Sequence, residues 1–89
     1  MENSNYQFPF NSPGDLDVFT KSFLEKMRQE RLKNGLSQAN IAFDLGISIR
    51  TYSKIERREI RLSLERYLHW CYLLKVNALE FLKEALENK

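Results

Sequence analysis

The side chains that could carry out catalysis are few in this sequence. The chain has one histidine, His69, and one cysteine, Cys71, two residues apart. On a helix these two positions point to different sides, so the side chains cannot act together as a base and a nucleophile. The sequence also has no cluster with metal-ligand spacing and no glycine-rich phosphate loop. We therefore expect a protein that is not an enzyme, with no catalytic residue, no metal and no cofactor.

The basic side chains are concentrated in one part of the chain. The formal net charge is only +2, yet the stretch from Arg50 to Arg66 holds six basic and three acidic side chains. Residues 1–20 carry acidic side chains and no Lys or Arg. A local basic stripe suggests a site for a polyanion. A solvated surface with salt bridges would explain the same charges equally well.

Length and composition indicate one mostly helical domain. The 89 residues suit a single domain, and 43% hydrophobic and 29% charged residues are ordinary values for a globular protein. Both prolines lie in the first fifteen residues, and only three glycines occur. No apolar run approaches the roughly 20 residues of a membrane span. The single cysteine fits a reducing compartment, so we expect a cytoplasmic protein without membrane contact.

Capping residues and apolar spacing divide the chain into an arm and five helices. Residues 1–15 are polar and aromatic, and we expect an irregular arm there, followed by a domain over residues 16–89. Ser, Asp and Asn are the side chains that best accept hydrogen bonds from free N–H groups at a helix start. The predicted helices, each with its cap, are 16–34 after Asp15 or Asp17, 38–45 after Ser37, 49–57 after Ser48, 64–74 after Ser63, and 78–86 after Asn77.

The second and third helices are too short to be stable alone in water. Gly46 allows a tight turn between them, and the small Ala42 allows them to cross closely. Two short amphipathic helices joined by such a turn are typical of a helix-turn-helix unit. The outward side of the helix at residues 49–57 would then carry hydrogen-bond donors and positive charge, which suits the major groove of DNA.

Residues 23–82 resemble the lambda-repressor-like, Cro/C1-type (XRE family) helix-turn-helix domains of bacterial and phage regulators. The phrases "RLKNGLSQANIA", "LGIS" and "YSKIERREIRLSLERYLHWCYLLKVNALEFL" carry the resemblance. It implies an all-α fold, a compact five-helix bundle containing a helix-turn-helix. It also implies a sequence-specific DNA-binding transcription regulator, with double-stranded DNA as its partner and a (pseudo)palindromic operator.

The resemblance also implies roles for individual residues. The positions that usually face bases are Ile49, Arg50, Ser53 and Lys54. The positions expected to contact the DNA backbone are Gln38, Ser48, Thr51, Arg57, Arg58 and Arg61, and Gln38 would also brace the third helix. Arg50 is our first choice for guanine recognition, although a phosphate contact explains it almost as well.

Two further features depend on the family pattern. An arginine late in the first helix often pairs with the glutamate that ends the third, which here means a structural ion pair between Arg31 and Glu56. The sequence departs from the pattern at Arg58, where the family usually has Gly, and at Leu62, where it often has Pro. Arg would be strained at a positive φ, so we expect a reshaped loop after the third helix.

One short recognition helix reads too few base pairs for specific binding, so we expect a homodimer. Four apolar residues in the last helix and just before it could form the interface: Val76, Leu79, Leu82 and Leu86. They could instead only complete the core of the monomer. An alternative function is an antitoxin or adaptor of the same fold whose main partner is another protein. The aromatic arm residues Tyr6, Phe8 and Phe10 motivate it, since they either pack on the domain or serve such a partner.

Overall fold

The protein folds into five helices, as seen in a computed structural model that describes residues 10–87. The helices are α1 (Pro13–Lys33), α2 (Gln38–Leu45), α3 (Ile49–Glu56), α4 (Leu64–Leu74) and α5 (Ala78–Glu87). Within the described residues no strand occurs, so the predicted all-α, five-helix fold is confirmed. Most of the expected arm, with Tyr6 and Phe8, lies outside the described residues.

The first helix begins earlier than the sequence analysis expected. Its cap is Ser12, whose Oγ accepts a hydrogen bond from the backbone N–H of Asp15 at 3.3 Å, and Pro13 is the first helical residue. The prediction of Asp15 or Asp17 as the cap was therefore wrong. Proline is favoured at this position because its fixed φ suits the helix and its missing N–H is not needed there.

The other helix starts follow the predicted caps. Ser37 and Asn40 form a reciprocal capping box at the start of α2, with hydrogen bonds of 3.0 and 2.9 Å. Ser63 accepts from the backbone of Arg66 at 3.1 Å, and Asn77 accepts from the backbone of Glu80 at 2.9 Å. Each cap satisfies a backbone donor that the helix itself leaves free.

The ends of α1 to α4 share one geometry. Each is followed by a residue with positive φ, and the next residue donates its N–H to a carbonyl five positions back, at 2.8 to 3.1 Å. This arrangement satisfies carbonyls that would otherwise be unpaired. The four residues with positive φ are Gly35, Gly46, Arg58 and Lys75. Glycine adopts this conformation without a steric cost, so the turn at Gly46 could be predicted from sequence and the left-handed residue Lys75 could not.

The core lies where all five helices meet. Trp70 on α4 is fully buried and lies within 5.4 to 6.5 Å, between ring centroids, of Phe81 on α5 and Tyr67 on its own helix. Phe23 on α1 contacts Tyr67 and Phe81 as well. The Tyr67 hydroxyl donates to the carbonyl of Ala78 at 2.7 Å. This aromatic cluster fixes α5 against α1 and α4.

The spacing of apolar residues in α4 predicts an inward stripe of Leu64, Tyr67, Leu68, Cys71 and Leu74, which the structure corrects. The sequence analysis of the helix placed Leu64 and Leu68 on the inward side, but their exposed fractions are 72% and 48%. The inward residues are Tyr67, Trp70, Cys71 and Leu74. The bulk of Trp70 sets the rotation of α4, because a side chain of this size contributes the most apolar area when it is buried.

Candidate nucleic-acid interface

The inward side of α3 anchors the helix in the domain. Tyr52 and Ile55 are buried, and they pack in the same core as Ile41 and Ala42 of α2. Ala42 is buried, and α2 packs against α3. Because one side of α3 is held in this way, its other side must face solvent.

The outward side of α3 carries the residues for which the sequence analysis expected contact with bases or the DNA backbone. Its exposed members are Ile49, Arg50 and Arg57, and its half-buried members are Thr51, Ser53 and Lys54. Ile49 and Arg50 at its start are open to solvent, and at its end the turn after the helix brings Glu59 onto Arg57. This side therefore presents a short polar and basic surface, as a helix that enters a groove of DNA requires.

Ser48 and Thr51 form a closed pair at the start of α3. The Ser48 Oγ accepts the backbone N–H of Thr51 at 3.0 Å, and its hydroxyl donates to the Thr51 Oγ1 at 3.0 Å. Since the Ser48 proton is used in this contact, Ser48 acts mainly as the helix cap. The Thr51 hydroxyl keeps its own proton and can donate it to an outside acceptor.

A buried carboxylate joins α1, α2 and α3 behind this surface. Arg31 donates to Glu56 through Nε at 2.8 Å and through Nη2 at 3.1 Å. The third nitrogen of Arg31, Nη1, donates to the carbonyl of Leu36 at 2.7 Å. Gln38 donates its amide to the same Glu56 carboxylate at 2.9 Å. The structure thus brings Arg31, Glu56 and Gln38 together, and Gln38 braces the end of α3.

The charges of this cluster are mutually stabilised. Burial alone would raise the pKa of Glu56, but hydrogen bonds from Arg31 and Gln38 outweigh it, so the pKa lies below its ordinary value. The hydrogen bond to Glu56 raises the pKa of Arg31 further, against the opposing effect of burial. Burial also raises the pKa of the neighbouring Tyr52. Near neutral pH the cluster therefore holds one full positive and one full negative charge.

The end of α3 carries a second ion pair, which the sequence analysis missed. Arg57 donates to Glu59 through Nε at 2.8 Å and through Nη2 at 3.2 Å, and its Nη1 donates to the Ser53 Oγ. A spacing of four residues between Ser53 and Arg57 on one helix was the signal available in the sequence. The contact of Glu59 with Arg57 could not be predicted from the sequence, because it depends on the turn that follows the helix.

That turn retains a positive φ at Arg58, of 66°. The expected reshaping of the loop does not occur at this residue, since Arg58 adopts the left-handed conformation that a glycine would adopt. Neither Arg58 nor Arg61 forms a side-chain hydrogen bond or ion pair with any residue in the part of the chain that the structure describes, and the same holds for Arg50 and Lys54. Arg50, Arg58 and Arg61 are therefore available to an external anion. Lys54 also acts on Glu59, whose pKa is lowered by the hydrogen bond from Arg57 and by the positive charge of Lys54.

The chain resembles a known protein family over most of the region described above. A family model described as "Helix-turn-helix" matches residues 27–77, more than half of the chain. The chain belongs to the Cro/C1-type helix-turn-helix family. Members of this family are DNA-binding regulators, and the predicted resemblance is confirmed. A search of curated proteins found no match.

The match to the helix-turn-helix family contains every residue for which the sequence analysis expected contact with DNA, together with Arg31 and Glu56. Of the expected interface residues only Val76 lies inside it, because Leu79, Leu82 and Leu86 follow its end. Val76 and Leu86 are half-buried, while Leu79 is largely exposed and Leu82 is exposed over about a third of its surface. The apolar side of α5 is thus only partly covered by the monomer.

The single histidine and the single cysteine of the sequence lie in different surroundings. His69 is exposed and lies beside Tyr72, whereas Cys71 is buried and burial raises the pKa of its thiol. Among residues 10–87 there is no group of three or more His, Cys, Asp or Glu side chains that could hold a metal ion. In the same part of the chain, none of the helices has the length and apolar character to cross a membrane.

Proposed function

We propose that the protein is a sequence-specific, DNA-binding transcription regulator that inserts α3 into the major groove of a (pseudo)palindromic operator. The observation that carries the proposal is the division of α3 into two sides. One side is fixed by Tyr52, Ile55 and the Glu56 cluster. The other side presents hydrogen-bond donors to solvent, and among them Arg50 has no side-chain partner in the described chain. Such a regulator would act in the cytoplasm, where the DNA is.

The proposed base contacts come from the outward residues at the start and middle of α3. Arg50 can donate two hydrogen bonds to the O6 and N7 atoms of guanine, and Ile49 can contact the methyl group of thymine. Ser53 and Lys54 lie one turn further along and would meet the next base pairs. Arg50 is the principal candidate because it is exposed and has no partner in the described chain.

The proposed phosphate contacts surround these base contacts. The start of α2, at Gln38, presents free backbone N–H groups, which favour an anion. Thr51 offers a hydroxyl proton, and Arg57, Arg58 and Arg61 supply positive charge beyond the other end of α3. Phosphate contacts of this kind orient the protein on DNA and contribute little to sequence preference.

We further propose that the protein binds as a homodimer through Val76, Leu79, Leu82 and Leu86. The support is the apolar side of α5, where Leu79 is largely exposed although α5 already packs on α1 and α4. A two-fold interface would place two copies of α3 on one face of the DNA. Their half-sites would then lie about 34 Å apart, one turn of the double helix.

Selection of bound sequences from a random DNA library tests this function. We expect the enriched sequences to contain an inverted repeat whose half-sites are centred about one helical turn apart. Enrichment of a single half-site would contradict the dimer alone. Absence of any enriched sequence, under conditions in which the protein is folded, would contradict operator recognition itself.

A second candidate is an antitoxin or adaptor of the same fold whose main partner is a protein. It is favoured by large apolar side chains outside α5 that are mostly exposed, chiefly Phe43, Leu64 and Tyr72, since a protein partner could cover them. Deleting residues 1–11 tests the arm while retaining Ser12 and Pro13, which start α1. Loss of a partner in pull-down experiments with unchanged DNA affinity would support this candidate.

A further inference from the structure

All three nitrogens of the Arg57 guanidinium are engaged within the protein. Nε and Nη2 bind the two oxygens of the Glu59 carboxylate at 2.8 and 3.2 Å, and Nη1 donates to the Ser53 Oγ. Arg57 and Glu59 are each about half exposed. The pair therefore lies at the surface, on the outward side of α3, where the proposed function requires contact with DNA.

The backbone, and not a chance side-chain conformation, brings Glu59 to this position. Arg57 caps α3, Arg58 adopts a φ of 66°, and the Glu59 N–H then donates to the carbonyl of Lys54 at 2.8 Å. This hydrogen bond turns the chain back over the last turn of α3. The Glu59 carboxylate is thus held against Arg57, and the charge of Lys54 acts on the same carboxylate.

A carboxylate and a phosphate bind a guanidinium in the same way, through two parallel hydrogen bonds. We propose that Glu59 occupies the place of a DNA phosphate in the free protein and competes with DNA for Arg57. The inference rests on the proposed function, in which Arg57 contacts the DNA backbone. Glu59 is then a positioning residue that lowers the affinity for DNA of every sequence.

The exposure of the pair makes this competition reversible. Exposed ion pairs are weak, so a phosphate can displace the carboxylate without a large loss of stability. The unpaired Arg50, Arg58 and Arg61 remain available for the first encounter with DNA. While Glu59 holds Arg57, the Nη1 group also remains on Ser53, so release of Arg57 would free the Ser53 oxygen for a base edge at the same time.

The test compares the full-length wild type with Glu59→Gln, Arg57→Gln and the double variant. The matched control is Glu87→Gln, which removes one exposed negative charge at the end of α5, where no ion pair or hydrogen bond of its side chain is found in the described structure. Fluorescence anisotropy with a labelled non-operator duplex and with the selected operator, at several salt concentrations, gives the affinities.

We expect Glu59→Gln to bind both duplexes about two- to fivefold more tightly than the Glu87→Gln control at low salt. The dependence of log affinity on log salt should become steeper by up to about 0.9 per protomer, because one more phosphate contact releases its counterion without a compensating carboxylate. With Arg57→Gln already present, the gain from Glu59→Gln should be much smaller, and what remains beyond the effect of the control comes from Lys54, whose charge also acts on Glu59.

Two results would overturn the inference in distinguishable ways. In the first, the wild type binds DNA and Glu59→Gln raises the affinity by the same factor with and without Arg57. The gain then comes only from the loss of a negative charge, and the competition for Arg57 is refuted. If the folded wild type binds neither duplex, the proposed function fails and the competition fails with it. Circular dichroism of each variant confirms that a change in affinity does not come from unfolding.

Discussion

Arg31 on α1 and Glu56 at the end of α3 form a bidentate ion pair that is almost wholly shielded from water. The exposed fractions of the two side chains are 6% and 5%, and the shorter of the two contacts is 2.8 Å. The residues are 25 positions apart in sequence. The pair therefore fixes α3 to α1, the longest helix of the bundle, and Gln38 adds α2 to the same carboxylate.

Breaking this pair should strongly destabilise the fold. We expect Glu56→Gln to lower the free energy of unfolding by about 3 kcal/mol, because Arg31 would keep a buried charge without its counterion. Removing both charges, with Arg31→Met and Glu56→Met together, should cost less than either single change. Urea denaturation of the wild type, Arg31→Met, Glu56→Met and the double variant gives the coupling directly. If the two single effects on the free energy of unfolding simply add, the two residues do not stabilise each other.

The same pair predicts how stability depends on pH. The pKa of Glu56 is lower in the folded protein than its ordinary value of 4.5, so its contribution is fully present above that pH. As the pH falls through the lowered value, Glu56 takes up a proton and the contribution is lost. The difference in unfolding free energy between wild type and Glu56→Gln should therefore shrink as the pH falls below about 4.5.

Local signals explain which parts of the fold could be predicted. The caps at Ser37, Ser48, Ser63 and Asn77 act on backbone groups within three residues, so the sequence alone identifies them. The rotation of α4 depends on what the other helices leave for Trp70, and Leu64 and Leu68 were assigned to the wrong side for that reason. The Ser12 start was missed because Asp15 and Asp17 offered the same chemistry three and five residues later.

The candidate site shows the same limit. The expected partners Arg31 and Glu56 came from a family pattern and not from spacing, since residues so far apart give no local signal. The contact between Arg57 and Glu59 needed the left-handed turn at Arg58, where sequence reasoning expected the chain to avoid strain. Long-range contacts and costly backbone conformations are thus what a single sequence does not reveal.

The positive φ values predict opposite effects at two helix ends. Lys75→Gly should stabilise the protein by about 0.5 kcal/mol, because relief of the left-handed strain exceeds the added freedom of the unfolded chain. Gly46→Ala should destabilise it by about 1 kcal/mol for the opposite reason, although no atom lies within 4 Å of the added methyl group. Thermal denaturation measures both changes in stability. If the two variants change the stability in the same direction, the backbone explanation is contradicted.

The proposed dimer interface can be separated from general surface effects by two matched leucines. Leu79 on α5 and Leu64 on α4 are exposed to nearly the same degree, 73% and 72%. Leu79→Glu should convert a dimer to a monomer in sedimentation velocity and weaken operator binding, while Leu64→Glu should change neither. A dimer that survives Leu79→Glu and dissociates with Leu64→Glu would move the interface to α4.

Arg50 and Arg61 provide the corresponding contrast for DNA recognition. Arg50→Ala should cost about 1–3 kcal/mol on the operator and relax base preference at one position in each half-site, because a bidentate contact to guanine is lost. Arg61→Ala should weaken all sequences alike and reduce the salt slope by about one per protomer, as expected for a phosphate contact. Binding of each variant to single-base operator mutants separates the two roles. If Arg50→Ala weakens every duplex by the same factor, Arg50 contacts phosphate, and base recognition must come from Ile49, Ser53 and Lys54.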